Sequence, residues 1–208
     1  MTSISTPSTM CKLRLDGGFF LLCTLFLLSS TPPLWLAVLG AILLHEGAHW
    51  LLLRDAGARV CALHGSLWGL SLHYDHAERL SYGQELRAVL AGPVANLLAA
   101  MLLARCAAML SWEMGYLLAG VQLLLGAFNS IPVLPFDGGR ALYLLTAYRS
   151  DPYIADKVLH FTGILFSGLS LLFAVGIFVF RTRSVLLLLA GGCIAAGFLR
   201  THSPRLRR

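Results

Sequence analysis

The sequence predicts an all-α polytopic membrane protein of about six transmembrane helices, with a short membrane-associated β-hairpin or loop between helices 2 and 3. Three observations predict it. Of 208 residues, 57% are hydrophobic and only 12% charged, and the mean hydropathy of +0.75 lies far from a soluble balance. The apolar residues fall in runs of spanning length. Lys and Arg stand singly at the ends of those runs rather than in one patch, which argues for membrane orientation and against nucleic acid as a partner.

A spanning helix needs about 20 largely apolar residues, and the candidates fall at roughly 15–31, 34–53, 88–110, 114–131, 160–180 and 184–199. In the first, the uninterrupted apolar part is only Gly18 to Leu28, preceded by Lys12 and Arg14, a pattern shared with signal peptides. No small-x-small cleavage site stands out, and Pro32-Pro33 opens the next apolar run at once, so a retained span is the better reading. With six spans and an inside N-terminus, every Lys and Arg except Arg105, Arg181 and Arg183 falls on the inner side. Both termini are then cytoplasmic.

The long connection runs from Arg54 to Arg87. Its stretch from Arg59 to Tyr74 interleaves Val60, Leu63, Leu67, Trp68, Leu70 and Leu72 with Gly65, Ser66, Gly69 and Ser71, a pattern for a hairpin or a membrane-dipping loop. The chain reads as one membrane-embedded domain over 1–208, with a core at about 34–148 and two further helices at about 160–199. The five cysteines are scattered without Cys-x-x-Cys spacing, which points to small core residues rather than disulfides or thiolate metal ligands.

Chemistry concentrates at His45-Glu46-Gly47-Ala48-His49, inside the second apolar run. Four residues turn a helix by about 400°, which puts both imidazoles on one face, roughly 6 Å apart, with Glu46 beside them. Imidazole suits zinc, and zinc lowers the pKa of water towards about 7, so a neighbouring carboxylate can accept its proton during attack on a carbonyl. The plain alternative is a pair of satisfied core histidines. It is disfavoured because each ionisable group at mid-bilayer costs about 2.5–3.5 kcal/mol and needs a compensating partner. Counting back from Arg54, helix rise places the pair roughly 7–14 Å below the inner end of the span.

Catalytic zinc takes three protein ligands and leaves one position open. The best candidate for the third is Asp137, in a segment where Pro132 and Pro135 forbid regular helix and Gly138-Gly139 permits unusual dihedrals. An ordinary inner loop, with Asp137 capping a helix over Gly138 to Tyr148, explains the same residues.

His45-Glu46-x-x-His49, then Gly92-Pro93-x-x-Asn96, then Asn129-x-x-Pro132-x-x-Pro135-x-Asp137-Gly138-Gly139 together resemble, in order, the motifs of the site-2 protease family of intramembrane zinc metalloproteases. The resemblance spans residues 45–139 and implies one Zn2+ per chain held by His45, His49 and Asp137, with Glu46 as catalytic base. It implies that Asn129 positions substrate or a reaction oxygen, and it puts Pro135, Gly92 and Asn96 in the substrate site. The substrate would be a membrane-spanning or membrane-tethered protein, and a regulatory membrane partner would control access. The short tails, without a PDZ or CBS domain, are similar to the compact branch that includes the sporulation protease, which releases a sigma factor. That would place the chain in a bacterial inner membrane.

Two other functions fit parts of the pattern. A metal transporter should repeat ionisable residues through several spans, yet Phe161 to Phe180 and Val185 to Leu199 hold no Asp, Glu, His, Lys or Arg. An inactive scaffold has no need of Glu46 beside an intact ligand set. His64, His73 and His76 match no familiar zinc spacing and read as a solvated stretch, Trp35, Trp50 and Trp68 as interfacial or core residues, and Arg140 as an inner-side anchor.

Overall fold

In the computed structural model, residues 12–66, 69–75 and 80–177 are described. The elements run β1 (Lys12–Leu15), α1 (Gly17–Ser29), α2 (Pro32–Asp55), β2 (Arg59–Ser66), β3 (Gly69–Asp75), α3 (Tyr82–Leu110), α4 (Glu113–Asn129), α5 (Asp137–Arg149) and α6 (Pro152–Ile177).

Local sequence accounts for the helix ends. Pro32 and Pro33 open α2 in its first turn, where the missing N–H groups would have lacked helical acceptors anyway. The helix stops at Ala56-Gly57, with Gly57 at φ +84°, a region glycine enters without cost. Ser81 caps α3 reciprocally: its side chain accepts from the Gln84 N–H while the Gln84 side chain accepts from the Ser81 N–H. This cap starts α3 six residues earlier than the apolar run beginning at residue 88 predicts.

Three helices, α2, α3 and α6, are long and apolar enough to cross a membrane, judged by length and composition. At 13 residues α1 falls short of the length a span needs, and α4, at 17, is at its lower limit. The fifth predicted span is the end of a helix that begins earlier, at Pro152, and the sixth, at 184–199, lies outside the described residues. The six-span expectation therefore reduces, among the described residues, to three helices of clear spanning length.

Between α2 and α3, β2 and β3 pair antiparallel from Arg59↔Asp75 to Ser66↔Gly69, with an irregularity between Val60 and Ala62. The N-terminal β1 adds in parallel to β2, Lys12 opposite Ala62, giving the order β1-β2-β3. This third strand corrects the reading of Lys12 and Arg14 as a mere charged flank of the first span. Four residues alternating basic and apolar are too short a strand signal to separate from such a flank.

The helical core is held by small side chains. The buried positions of α2 are Ala37, Ala41, His45, His49 and Leu53, one stripe at four-residue spacing. α3 packs on α2, α4 and α5, and α5 packs on α6. On α4 the buried residues are Gly115, Ala119, Gln122 and Gly126. A Cβ on Gly126 would lie 3.2 Å from the Asn96 Cβ. Such small surfaces let helix backbones approach closely where lipid offers no hydrophobic drive to associate. Large apolar side chains point outward instead, among them Leu36, Leu43, Met101, Leu102, Phe161 and Phe173.

Candidate metal centre

The α2 stripe carries the only ionisable side chains in its buried row, and these face α3 where that helix has no side chain. A Cβ placed on Gly92 would stand 2.4 Å from His49 Nε2 and 2.8 Å from His45 Nε2, so the imidazoles occupy volume that any other residue would claim. The next residue, Pro93, sits inside α3 and lacks an N–H for the Val89 carbonyl.

Each histidine is oriented from behind. His45 Nδ1 donates to Asn96 Oδ1 at 2.7 Å, and His49 Nδ1 donates to the Ala88 carbonyl at 2.7 Å. The Ala88 carbonyl can only accept, which fixes the proton of neutral His49 on Nδ1. The Asn96 amide is fixed by its other contacts, since its Nδ2 donates to the Ala41 carbonyl at 3.1 Å and to Gln122 Oε1. Its Oδ1 is thus the end turned to His45, and His45 also carries its proton on Nδ1. Both Nε2 atoms are left as lone pairs.

Asp137 completes the cluster from the far side of the chain. The loop 130–136 is anchored by Val133, which is 1% exposed. It packs so tightly on the start of α5 that a Cβ on Gly138 would lie 2.2 Å from the Ser130 carbonyl oxygen, and one on Gly139 2.3 Å from the Val133 carbonyl carbon. Two successive glycines allow that approach. Asp137 is the first residue of α5, yet it makes no capping bond; the N-cap position is Phe136. Its Oδ2 lies 2.9 Å from His45 Nε2 and 3.1 Å from His49 Nε2, and the two Nε2 atoms lie 3.1 Å apart. The helix-cap reading of Asp137 is thereby set aside.

Three electron-pair donors within 3.1 Å of one another, two of them with their protons committed elsewhere, repel unless a cation lies among them. Tetrahedral zinc with bonds of about 2.0–2.1 Å sets its ligands about 3.3 Å apart, close to these separations. The donor set therefore fits a zinc ion. Among the described residues it is the one group of three His, Cys, Asp or Glu side chains placed to hold a metal.

The other residues singled out in the sequence fall around this centre. Glu46 follows His45 on α2 and is partly buried. Asn129 ends α4, its Nδ2 donating to the Leu125 carbonyl at 3.1 Å, and no contact ties it to the histidines. Pro135 is exposed in the loop before Asp137, joined to Leu134 by a cis peptide bond. Gly92 and Asn96, expected in the substrate site, lie against the imidazoles. Arg140, expected as an inner-side anchor, reaches Glu85 on α3 at 2.9 Å, and Glu85 is buried at 7% exposure. Gln122 was passed over in the sequence; a lone amide in an otherwise apolar run, Tyr116 to Phe128, is the signal that could have found it.

No family model matches the chain, and no curated protein matches it in sequence. Among solved structures, the chain is similar to "Site-2 Protease from Methanocaldococcus jannaschii". The match has a TM-score of 0.67 and 21% identity, and covers 92% of this chain and 90% of that one. At that identity the likeness speaks for the fold. The chain is built on the fold of a site-2 protease.

Proposed function

We propose that this protein is an intramembrane zinc metalloprotease of the site-2 protease family, hydrolysing peptide bonds of membrane-associated proteins within or next to the bilayer. One observation carries the reading: His45 Nε2, His49 Nε2 and Asp137 Oδ2 converge as unprotonated donors, with a carboxylate, Glu46, adjoining them on the same helix.

Bound zinc would supply Lewis acidity to water and to the scissile carbonyl. Glu46 takes the proton of the attacking water and returns it to the departing amide nitrogen, the task of a general base that then serves as general acid. His45, His49 and Asp137 hold their positions through the step. Asn129 and Pro135, on the stretch of chain leading into Asp137, border the path by which the substrate reaches it, with Asn129 offering an amide to a substrate or reaction oxygen.

The substrate's spanning helix unwinds near its inner end and adds as a strand to the β1-β2-β3 sheet. Support comes from β3, which among the described residues pairs on one side alone, with β2, and main-chain hydrogen bonds along such an edge hold an extended peptide. Leu70→Pro in β3 together with Leu67→Pro, the latter outside the described residues, should abolish cleavage with zinc retained; normal cleavage by that variant rules strand addition out.

A bacterial inner-membrane location with cytoplasmic termini, a sigma-factor precursor as substrate and a membrane regulator belong to the same reading. Transport has less support, because the described residues hold a single donor cluster, which is a site rather than a path. The test is cleavage of a panel of single-span proteins, including a sigma-factor precursor, by zinc-loaded protein in liposomes. Wild type should cut at least one, and Glu46→Gln none. Equal behaviour of the two overturns the protease reading.

A further inference from the structure

Gln122 lies on α4, which contributes no metal ligand, yet it is buried at 8% exposure in a helix whose other buried residues are Gly115, Ala119 and Gly126. A polar side chain among such neighbours is expensive unless it is satisfied. Its Oε1 accepts one hydrogen of the Asn96 amide; the other hydrogen goes to the Ala41 carbonyl, and the amide oxygen receives His45 Nδ1–H. Asn96 is 0% exposed, so water offers it no substitute partner.

We infer that Gln122 is a positioning residue for the metal centre: by accepting from Asn96 it holds the Asn96 oxygen against His45, and so leaves His45 Nε2 free for zinc. The inference rests on the reading that His45, His49 and Asp137 bind zinc, and it adds α4 to the helices that govern the site. Two acceptors are needed because the Asn96 amide has two hydrogens. The Ala41 carbonyl alone takes one of them, and without Gln122 the other turns towards whatever acceptor remains. A rotated Asn96 would present its NH2 to His45, drive the imidazole proton to Nε2 and remove the lone pair that a ligand needs.

The experiment is competitive chelator titration of the purified full-length protein with zinc, carried out in a Glu46→Gln background, together with the visible absorption of the cobalt-substituted form. Outer partners of metal-bound histidines are typically worth about 10–100-fold in affinity. Asn96→Ala should fall in that range, and Gln122→Leu should weaken zinc by about 10-fold and shift the cobalt bands. Gln122→Glu keeps an acceptor and should stay within about 3-fold of the parent, which a role of mere bulk would not require of a carboxyl over a leucine. In the Asn96→Ala background Gln122→Leu should add nothing, because the two act in series. Should the leucine variant fail to fold, Gln122→Met supplies an unbranched apolar side chain for the same comparison. The inference is overturned if the apolar variants bind zinc as tightly as the parent with unchanged cobalt spectra, or if their effect adds fully to that of Asn96→Ala. A parent that binds no zinc at all overturns the metal-centre reading and this inference together.

Discussion

Gly92 on α3 and His49 on α2 meet so closely that a single methyl group on the glycine would lie 2.4 Å from the imidazole Nε2. The glycine is thus part of the centre by omission. Gly92→Ala should push His49, and with it His45, out of the line that meets Asp137. Overpacking of this kind costs about 1–3 kcal/mol in stability. The greater effect should be on zinc, since a displaced ligand atom loses its bond. Zinc content after dialysis against a weak chelator measures this. Wild-type retention by Gly92→Ala would show that α3 can retreat without cost.

Backbone closeness at the start of α5 gives a second, sharper contrast. A Cβ on Gly138 meets the Ser130 carbonyl oxygen at 2.2 Å, whereas one on Gly120 of α4 meets nothing within 4 Å. Backbone cannot swing aside as a long side chain can. Gly138→Ala should lose both zinc and activity by at least tenfold, while Gly120→Ala should be neutral or stabilising by up to about 1 kcal/mol through helix propensity. Equal effects at the two sites in thermal unfolding and zinc binding would contradict this account of how Asp137 is delivered.

Protons compete with metal for the same lone pairs, which fixes the sign of the pH dependence. An imidazole can bind zinc through Nε2 only when neutral, and an imidazolium carries protons on both nitrogens. Zinc affinity should therefore fall on acidification, by up to about 100-fold per pH unit where both rings must lose a proton. Zinc titrations between pH 5 and 8 would reveal it. An affinity that rises on acidification would exclude these histidines as ligands.

Much of this centre was legible in the sequence because its parts obey helix geometry. Two histidines four residues apart had to share a face, and ionisable groups in an apolar run had to have a partner. Asp137 was a candidate ligand that the motif resemblance favoured over an equally simple helix cap, and only the structure places its carboxylate against His45. Gly92 and Asn96 were noticed as motif residues, but a motif gives only residue types; the crossing of α2 and α3 shows that Gly92 lies against the two Nε2 atoms and Asn96 against His45 Nδ1. Gln122 and the Glu85–Arg140 pair depend on contacts across 26 and 55 residues of chain, beyond the reach of local periodicity. The strand β1 was hidden for a related reason, since its pairing partner begins after a whole intervening helix pair.

Glu85 and Arg140 should behave as a coupled pair that holds α5, and hence Asp137, against α3. Glu85 is buried near the start of α3, and the Arg140 guanidinium, partly exposed, lies 2.9 Å from its carboxylate. Removing one member of a buried pair leaves the other charge uncompensated, at about 3–5 kcal/mol where burial is complete. Here solvent reaches Arg140, so a cost of about 1–2 kcal/mol is expected for Arg140→Met or Glu85→Gln alone. The double variant should be less unstable than the two losses added, because each single change already removes the contact that the two share. Since Arg140 lies on the same first turn as Asp137, zinc affinity should follow stability through the cycle, the double variant binding more tightly than two independent losses would give. Chemical denaturation and zinc titration of the four proteins together decide it. Additive losses in both would mean that Glu85 and Arg140 act independently, and that the Gly138-Gly139 contact with the preceding loop suffices to place the carboxylate.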